Sequence, residues 1–288
     1  MTAIQRALVT GGAGFIGSHL CERLVAEGST VVSLDDYSLG NEANHVKGVE
    51  YVRGSTADIS TLITDTPTVL FHLGEYPRVE QSFVDIETVL TSNVVGTKAV
   101  FEFARQHMCK VVYAGSSTKF ADGGFGRDQS PYAWTKAANT ELLRNYHAWF
   151  GVPYAITYFY NVYGPRERSQ QSNGTVVAIF AERWRTKQPL IVTAPGTQQR
   201  NFTHVLDIVE GLWLVGVKGQ GDEYGLGHPD SYTIREVAEL FGGEMVLGPE
   251  RPGNRMQSTV HLDRAQLELG WQPQHNLPDY ITALKQST

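Results

Sequence analysis

Apolar positions in the first half of the chain alternate between two rhythms. Short runs rich in β-branched residues read as strands: Ala7–Thr10, Thr30–Leu34, Val49–Arg53, Val69–Leu73, Lys110–Ala114 and Tyr154–Tyr160. Between them, apolar residues recur three or four apart, which is the spacing of one helical face. Phe15–Glu27 carries Ile16, Leu20 and Leu24 and stops at Gly28. Asn93–His107 carries Val94, Val95, Ala99, Phe103 and Ala104, and Tyr132–Phe150 is a longer helix. Such alternation predicts an α/β fold, a doubly wound parallel (Rossmann) sheet, because strands apolar on both sides must be covered on both sides.

After Tyr163 the rhythm changes. Arg166–Gly174 is polar and reads as a loop, and Val176–Arg185, Leu190–Thr193, Ile234–Phe241 and Glu244–Leu247 are shorter, mixed elements. The expected organisation is a larger domain over residues 1–165, joined again by residues 197–217, with a smaller mixed C-terminal substrate lobe over most of 166–288.

Composition narrows the function classes. A length of 288 residues suits one large or two small domains, and 41% hydrophobic with 19% charged residues is a globular balance. Lys and Arg total 24 against 30 Asp and Glu, a net charge of −6, which disfavours nucleic acid or an anionic membrane as partner. The most apolar stretch, Leu212–Val217, is far short of the ~18 residues that cross a bilayer. Cys21 and Cys109 show no metal-ligand or disulfide pattern and read as buried thiols of a reducing, cytoplasmic setting. No metal is expected, and neither a zinc-protease helix nor a P-loop is present.

The strongest motif is Thr10-Gly11-Gly12-Ala13-Gly14-Phe15-Ile16-Gly17, which contains G-x-G-x-x-G between a strand and a helix. Missing side chains permit a tight turn and close approach of backbone to a pyrophosphate, and the helix N-terminus offers N–H donors. Asp35 ends the next strand 18 residues past Gly17, placed for the ribose hydroxyls of NAD. Asp36-Tyr37-Ser38 after it offers no arginine for the extra phosphate of NADP, so NAD is the expected cofactor.

Tyr132 and Lys136 stand four apart on one helical face. A tyrosine phenol ionises near pH 10, so using one as a base near neutrality requires about 4 kcal/mol of differential stabilisation. An adjacent ammonium and a positive nicotinamide can supply it. Alone, such a pair reads as a surface tyrosine with a solvated lysine. Behind a dinucleotide turn, and after a strand ending in Ala114-Gly115-Ser116-Ser117-Thr118, it reads as catalytic.

With these pieces the chain resembles the extended short-chain dehydrogenases/reductases of the NAD-dependent nucleotide-sugar epimerase/dehydratase group. The resemblance runs through Gly11–Gly17, Asp35, Asp58-Ile59, His72-Leu73-Gly74, Asn93–Thr97, Ser116, Tyr132/Lys136, Asn161–Pro165, Arg200-Asn201-Phe202 and Leu269-Gly270-Trp271. It implies that Gly11, Gly14, Phe15, Ile16, Gly17, Asp35, Asp58, Ile59, Leu73, Gly74, Asn93, Tyr132 and Lys136 contact or support NAD. Ser116, Tyr132 and Lys136 would be catalytic, Tyr132 as the base. Ser116, Ser117, Asn161, Arg200 and Arg255 would hold a nucleotide-diphosphate sugar; Arg251 is the alternative to Arg255. The resemblance also implies a homodimer through Thr88–His107 and Tyr132–Phe150, with Ala99, Phe103, Leu142 and Tyr146 as contacts or, equally, as core.

Departures bear on the reaction. The family's dehydratases and decarboxylases carry Glu two residues after the catalytic Ser/Thr, where this chain has Thr118. Losing the C6 hydroxyl needs an acid that threonine cannot supply, so 4-epimerisation of a UDP-hexose or UDP-hexosamine is the favoured expectation. A 4,6-dehydratase or 4-ketosugar reductase is the alternative, and a non-catalytic NAD-binding regulator a third. Lys119-Phe120-Ala121 replaces the usual Val-Tyr-Gly. Gly74-Glu75 replaces the usual Ala-Ala; Glu75 is expected to face solvent, the other option being an extra acid at the site. His72, Asp207 and Asp263 are expected to be structural.

Overall fold

The computed structural model describes residues 4–169, 174–250, 256 and 260–287. Six strands lie where the apolar runs predict them: β1 (Arg6–Thr10), β2 (Thr30–Asp35), β3 (Val49–Arg53), β4 (Val69–His72), β5 (Lys110–Ser116) and β6 (Tyr154–Phe159). A seventh, β7 (Gly221–Leu226), pairs with β6 at the sheet edge. The order is β7-β6-β5-β4-β1-β2-β3, every pair parallel. The strand order reverses between β1 and β4, and the crevice outside their carboxyl ends is where such sheets bind ligands.

Four helices cover the sheet: α1 (Phe15–Ala26), α2 (Thr97–His107), α3 (Pro131–Phe150) and α4 (Val205–Lys218). On one face Leu20 and Leu24 of α1 pack with Val209 and Leu212 of α4; on the other Phe103 of α2 packs with Leu143 and Tyr146 of α3. Each fully buried side chain of this size contributes about 1.5–3 kcal/mol. Phe103 and Tyr146 therefore belong to the core and offer no surface to a second subunit; Ala99 and Leu142 are partly buried against the same cluster. Cys21 and Cys109 are buried free thiols. Among the described residues no helix is long and apolar enough to cross a membrane.

The chain's return to the larger layer runs on past residue 217. It includes β7, whose polar, glycine-bearing sequence Gly-Asp-Glu-Tyr-Gly-Leu hides it from a hydrophobicity reading, and also Ala265, Leu269 and Trp271 in the core under α1. Asp207 fastens this segment: its carboxylate accepts from the backbone N–H groups of Gln274 (3.0 Å) and His275 (3.1 Å). The smaller lobe packs Val176–Arg185, Ile234–Phe241 and Leu277–Gln286 around Phe180, Phe241 and Ile281. Its strand Leu190–Thr193 pairs in parallel with Met245–Gly248.

Candidate active site

The carboxyl ends of β1, β2, β4 and β5 open onto a cavity of about 830 Å³. Gly11, Gly14, Phe15, Ile16, Gly17, Asp35, Leu73, Gly74, Tyr132 and Lys136 all line it. The glycine turn is tight enough to exclude side chains. A Cβ on Gly17 would lie 2.1 Å from the carbonyl oxygen of Gly11, and one on Gly74 would lie 2.9 Å from the backbone nitrogen of Gly11. At neither position does a Cβ fit without a shift of the backbone beside it.

Asp35 is buried at one end of the cavity, accepting from the N–H groups of Ala13 (2.9 Å) and Tyr37 (2.8 Å). Burial pushes its carboxyl upward, and those two N–H groups oppose the shift. Gly54, Ser55 and Thr56 complete this end. A narrow backbone cradle at a helix N-terminus beside an acid fits the pyrophosphate and ribose of a dinucleotide.

Tyr132 and Lys136 come from the first turns of α3. Ser130 caps that helix by accepting from Ala133 N–H (3.1 Å), Pro131 opens it, and Gly151 ends it at φ 75°. Lys136 donates to the carbonyl of Ala114 at 2.6 Å and to the carboxylate of Glu75. An ammonium has three N–H bonds, so the third is left for whatever occupies the cavity.

Glu75 corrects the sequence reading, which turned it toward solvent. Its side chain is 1% exposed. Besides Lys136, it receives hydrogen bonds from Thr97 (2.8 Å), Tyr113 (3.1 Å) and Asn139 (2.9 Å). Burial would push its carboxyl up, yet Lys136 beside it, together with the other groups around the carboxylate, more than compensates and holds it below the ordinary range. The carboxylate form is thus favoured.

The donors behind Glu75 have a fixed polarity. Thr10 Oγ1 accepts from the N–H groups of Leu73 (3.1 Å) and Gly74 (3.0 Å), so its own proton goes to His72 Nδ1 (2.7 Å). Nε2–H of His72 then donates to Thr97 Oγ1 (2.9 Å), whose proton goes to Glu75. Burial lowers His72 to about 4, which agrees with a neutral ring in this role. His72 is the hydrogen-bonded core residue that its buried strand predicted.

The remaining described residues named from the sequence are not among those that line the cavity. Ile59 is fully buried in the core, and Asp58 precedes it in a short turn; Thr56 is the residue of this segment that lines the cavity. Asn93 is buried and ties Thr135 of α3 (3.1 Å) to the backbone of Tyr76 (2.6 and 3.1 Å). Ser116 follows the lining residues Ala114 and Gly115, and its Oγ accepts from Thr118 Oγ1 at 2.9 Å; Ser117 comes next. Lys119 turns to the sheet edge, 3.2 Å from Asp222 of β7. Asn161 donates to the carbonyl of Asn201 (2.9 Å), and Arg200 to that of Gln199 (2.8 Å). Arg251 and Arg255 lie outside the described residues.

The structure adds lining residues that no motif marks: Arg78, Arg166, Glu167, Arg168 and Thr175. Arg166 is paired with Glu22 at 2.9 Å. Glu167, held by Thr175 Oγ1, is pushed up to about 8 by burial. Among the described residues no cluster of three or more His, Cys, Asp or Glu could hold a metal.

Comparison with known proteins places this arrangement. The model of the NAD dependent epimerase/dehydratase family matches residues 7–227. A UDP-glucose 4-epimerase of Mycolicibacterium smegmatis is 33% identical over 302 aligned residues, covering 96% of each chain. The crystal structure of Thermus thermophilus UDP-glucose 4-epimerase in complex with NAD superposes with a TM-score of 0.89 at 28% identity, covering 99% of this chain and all of that one. DesIV, a dTDP-glucose 4,6-dehydratase of Streptomyces venezuelae solved with NAD, reaches a TM-score of 0.89 at 25% identity, covering 98% and 96%.

Proposed function

The chain belongs to the NAD-dependent epimerase/dehydratase family, and we propose from this that it is an NAD-dependent nucleotide-sugar epimerase, inverting C4 of a UDP-linked hexose or hexosamine through a 4-keto sugar. The observation that carries the reading is one cavity holding both the glycine cradle with Asp35 and the Tyr132/Lys136 pair. Gly11, Gly14, Gly17 and Asp35 would hold the dinucleotide, with the free N–H of Lys136 on its nicotinamide ribose. When bound there, NAD would supply the redox chemistry as the acceptor and donor of a hydride at the sugar carbon.

Tyr132 takes the proton of the sugar hydroxyl as the carbonyl forms and gives it back on the return step. Ser116 orients that hydroxyl: its oxygen already accepts from Thr118, so its own proton is available to the substrate. Arg200 and Asn161, with Arg255, are the proposed holders of the diphosphate while the keto sugar turns over. Orientation within the site supplies much of the acceleration. The dehydratase alternative lacks its acid at position 118, where the Thr118 hydroxyl is buried against Ser116.

Because the cofactor is restored in every cycle, the purified protein is expected to interconvert UDP-glucose, UDP-N-acetylglucosamine or an acid form with its 4-epimer without added NAD. Chromatography of the nucleotide sugars reads this, and no product from any of them refutes the proposal. Gly17→Ala is expected to purify without dinucleotide, since its Cβ has no room beside the Gly11 carbonyl; acid extraction and quantification of bound NAD test it.

A homodimer through the Thr88–His107 segment and α3 is part of the proposal. Val95 and Trp134, about half exposed, are better placed for it than Phe103 or Tyr146. Light scattering at twice the chain mass is the expected result. A cytoplasmic, reducing location suits the two buried thiols.

A further inference from the structure

Arg78 stands in the cavity with no carboxylate in ion-pair contact among the described residues. It lines the same space as Tyr132, is half-buried, and among the described residues takes part in no hydrogen bond or ion pair. Its Nε is sealed from water with no acceptor. The side chain is only half-buried and lines the cavity, so the rest of the guanidinium is open to a ligand, and a partly dehydrated cation without a hydrogen-bond partner favours an anionic one.

The neighbouring acids do not fill that place. Glu75 has Lys136, Thr97, Tyr113 and Asn139 around its two oxygens. Glu167 is close enough to act on Arg78, but its carboxyl is held by Thr175 Oγ1 and the Gly164 N–H, and with burial pushing it to about 8 it is largely protonated at neutral pH. Arg168, also lining the cavity, adds positive charge. Lys136 is neutralised by Glu75 and Arg166 is paired with Glu22, which leaves Arg78 and Arg168 as the lining cations without a salt bridge among the described residues.

Position selects the anion. The electrostatic neighbours of Arg78 are Glu167, Tyr132, Arg168 and Tyr76, whereas those of Asp35 are Asp36 and Arg53. Arg78 therefore belongs to the end where Tyr132 meets the reacting carbon, away from the end built for the cofactor's adenosine. We propose that Arg78 receives a carboxylate carried by the sugar itself, so that the preferred substrate is a nucleotide-linked uronic acid and not its neutral counterpart. The planar guanidinium fork matches the two oxygens of a carboxylate. This assignment rests on the nucleotide-sugar reading above and names its substrate class.

Kinetics of the wild-type protein and of Arg78→Met with UDP-glucuronic acid and UDP-glucose test it, alongside calorimetric binding of the two sugars and of UDP alone. The expected wild-type kcat/KM is at least about 50-fold higher for the acid. Arg78→Met is expected to lose about 100-fold on the acid and bring the acid-to-neutral ratio near one, with UDP affinity unchanged. Arg78→Lys is expected to fall between, keeping charge without the fork. Equal wild-type use of the two sugars overturns the proposal. So does a matching loss on both, which would assign Arg78 to Tyr132, or a loss of UDP affinity, which would assign it to the diphosphate. If neither sugar is epimerised, the epimerase reading fails alone; the binding preference for the acid, and its loss in Arg78→Met, still decide the carboxylate assignment.

Discussion

Glu75→Leu is expected to destabilise the protein by about 3–5 kcal/mol, because it leaves the buried ammonium of Lys136 without its partner. Thr97, Tyr113 and Asn139 lose their shared acceptor in the same step. The shift of the urea midpoint at constant slope measures the loss. Combining Glu75→Leu with Lys136→Met removes both charges, and most of the stability is expected to return. Turnover is not, since the N–H that Lys136 offers the cavity is gone in the double variant. A Glu75→Leu protein as stable as the wild type would mean that the pair is not buried as described. Recovery of both stability and turnover in the double variant would make Lys136 a structural residue only.

Tyr132→Phe is expected to lower kcat by about 10²–10⁴-fold, the contribution of a positioned acid–base group, with bound dinucleotide and thermal stability retained. Its phenol oxygen takes part in no hydrogen bond with the described residues, so removing it costs the fold little. Single-turnover assays with a nucleotide sugar, and quantification of extracted cofactor, separate the two effects. Unchanged turnover would remove Tyr132 from the chemistry and favour a protein that binds the dinucleotide without using it.

What the sequence disclosed depended on how local its cause was. The glycine turn, Asp35 and the Tyr132/Lys136 spacing are short-range features, each fixed by a turn, a strand end or one helical repeat, and all reach the cavity. Glu75 had no such cue. Its four donors come from Thr97, Tyr113, Lys136 and Asn139, 22 to 64 residues away, and only the packing of α2, β5 and α3 brings them together. Arg78 and Glu167 are equally silent in sequence, since their meaning lies in what does not stand beside them. β7 escaped for a different reason: an edge strand paired on one side tolerates the glycine and acidic residues that blur a hydrophobic pattern.

The late return of the chain sets a limit on how this protein could be divided. Val209, Leu212 and Val215 of α4, with Trp271 further on, complete the apolar layer against which α1 rests. Severed near residue 165, the nucleotide-binding half would be left with that flank of its sheet bare and its outermost strand missing. The two lobes are therefore interleaved parts of one folding unit, and neither is a detachable module that could be shed or shuffled by a single cut.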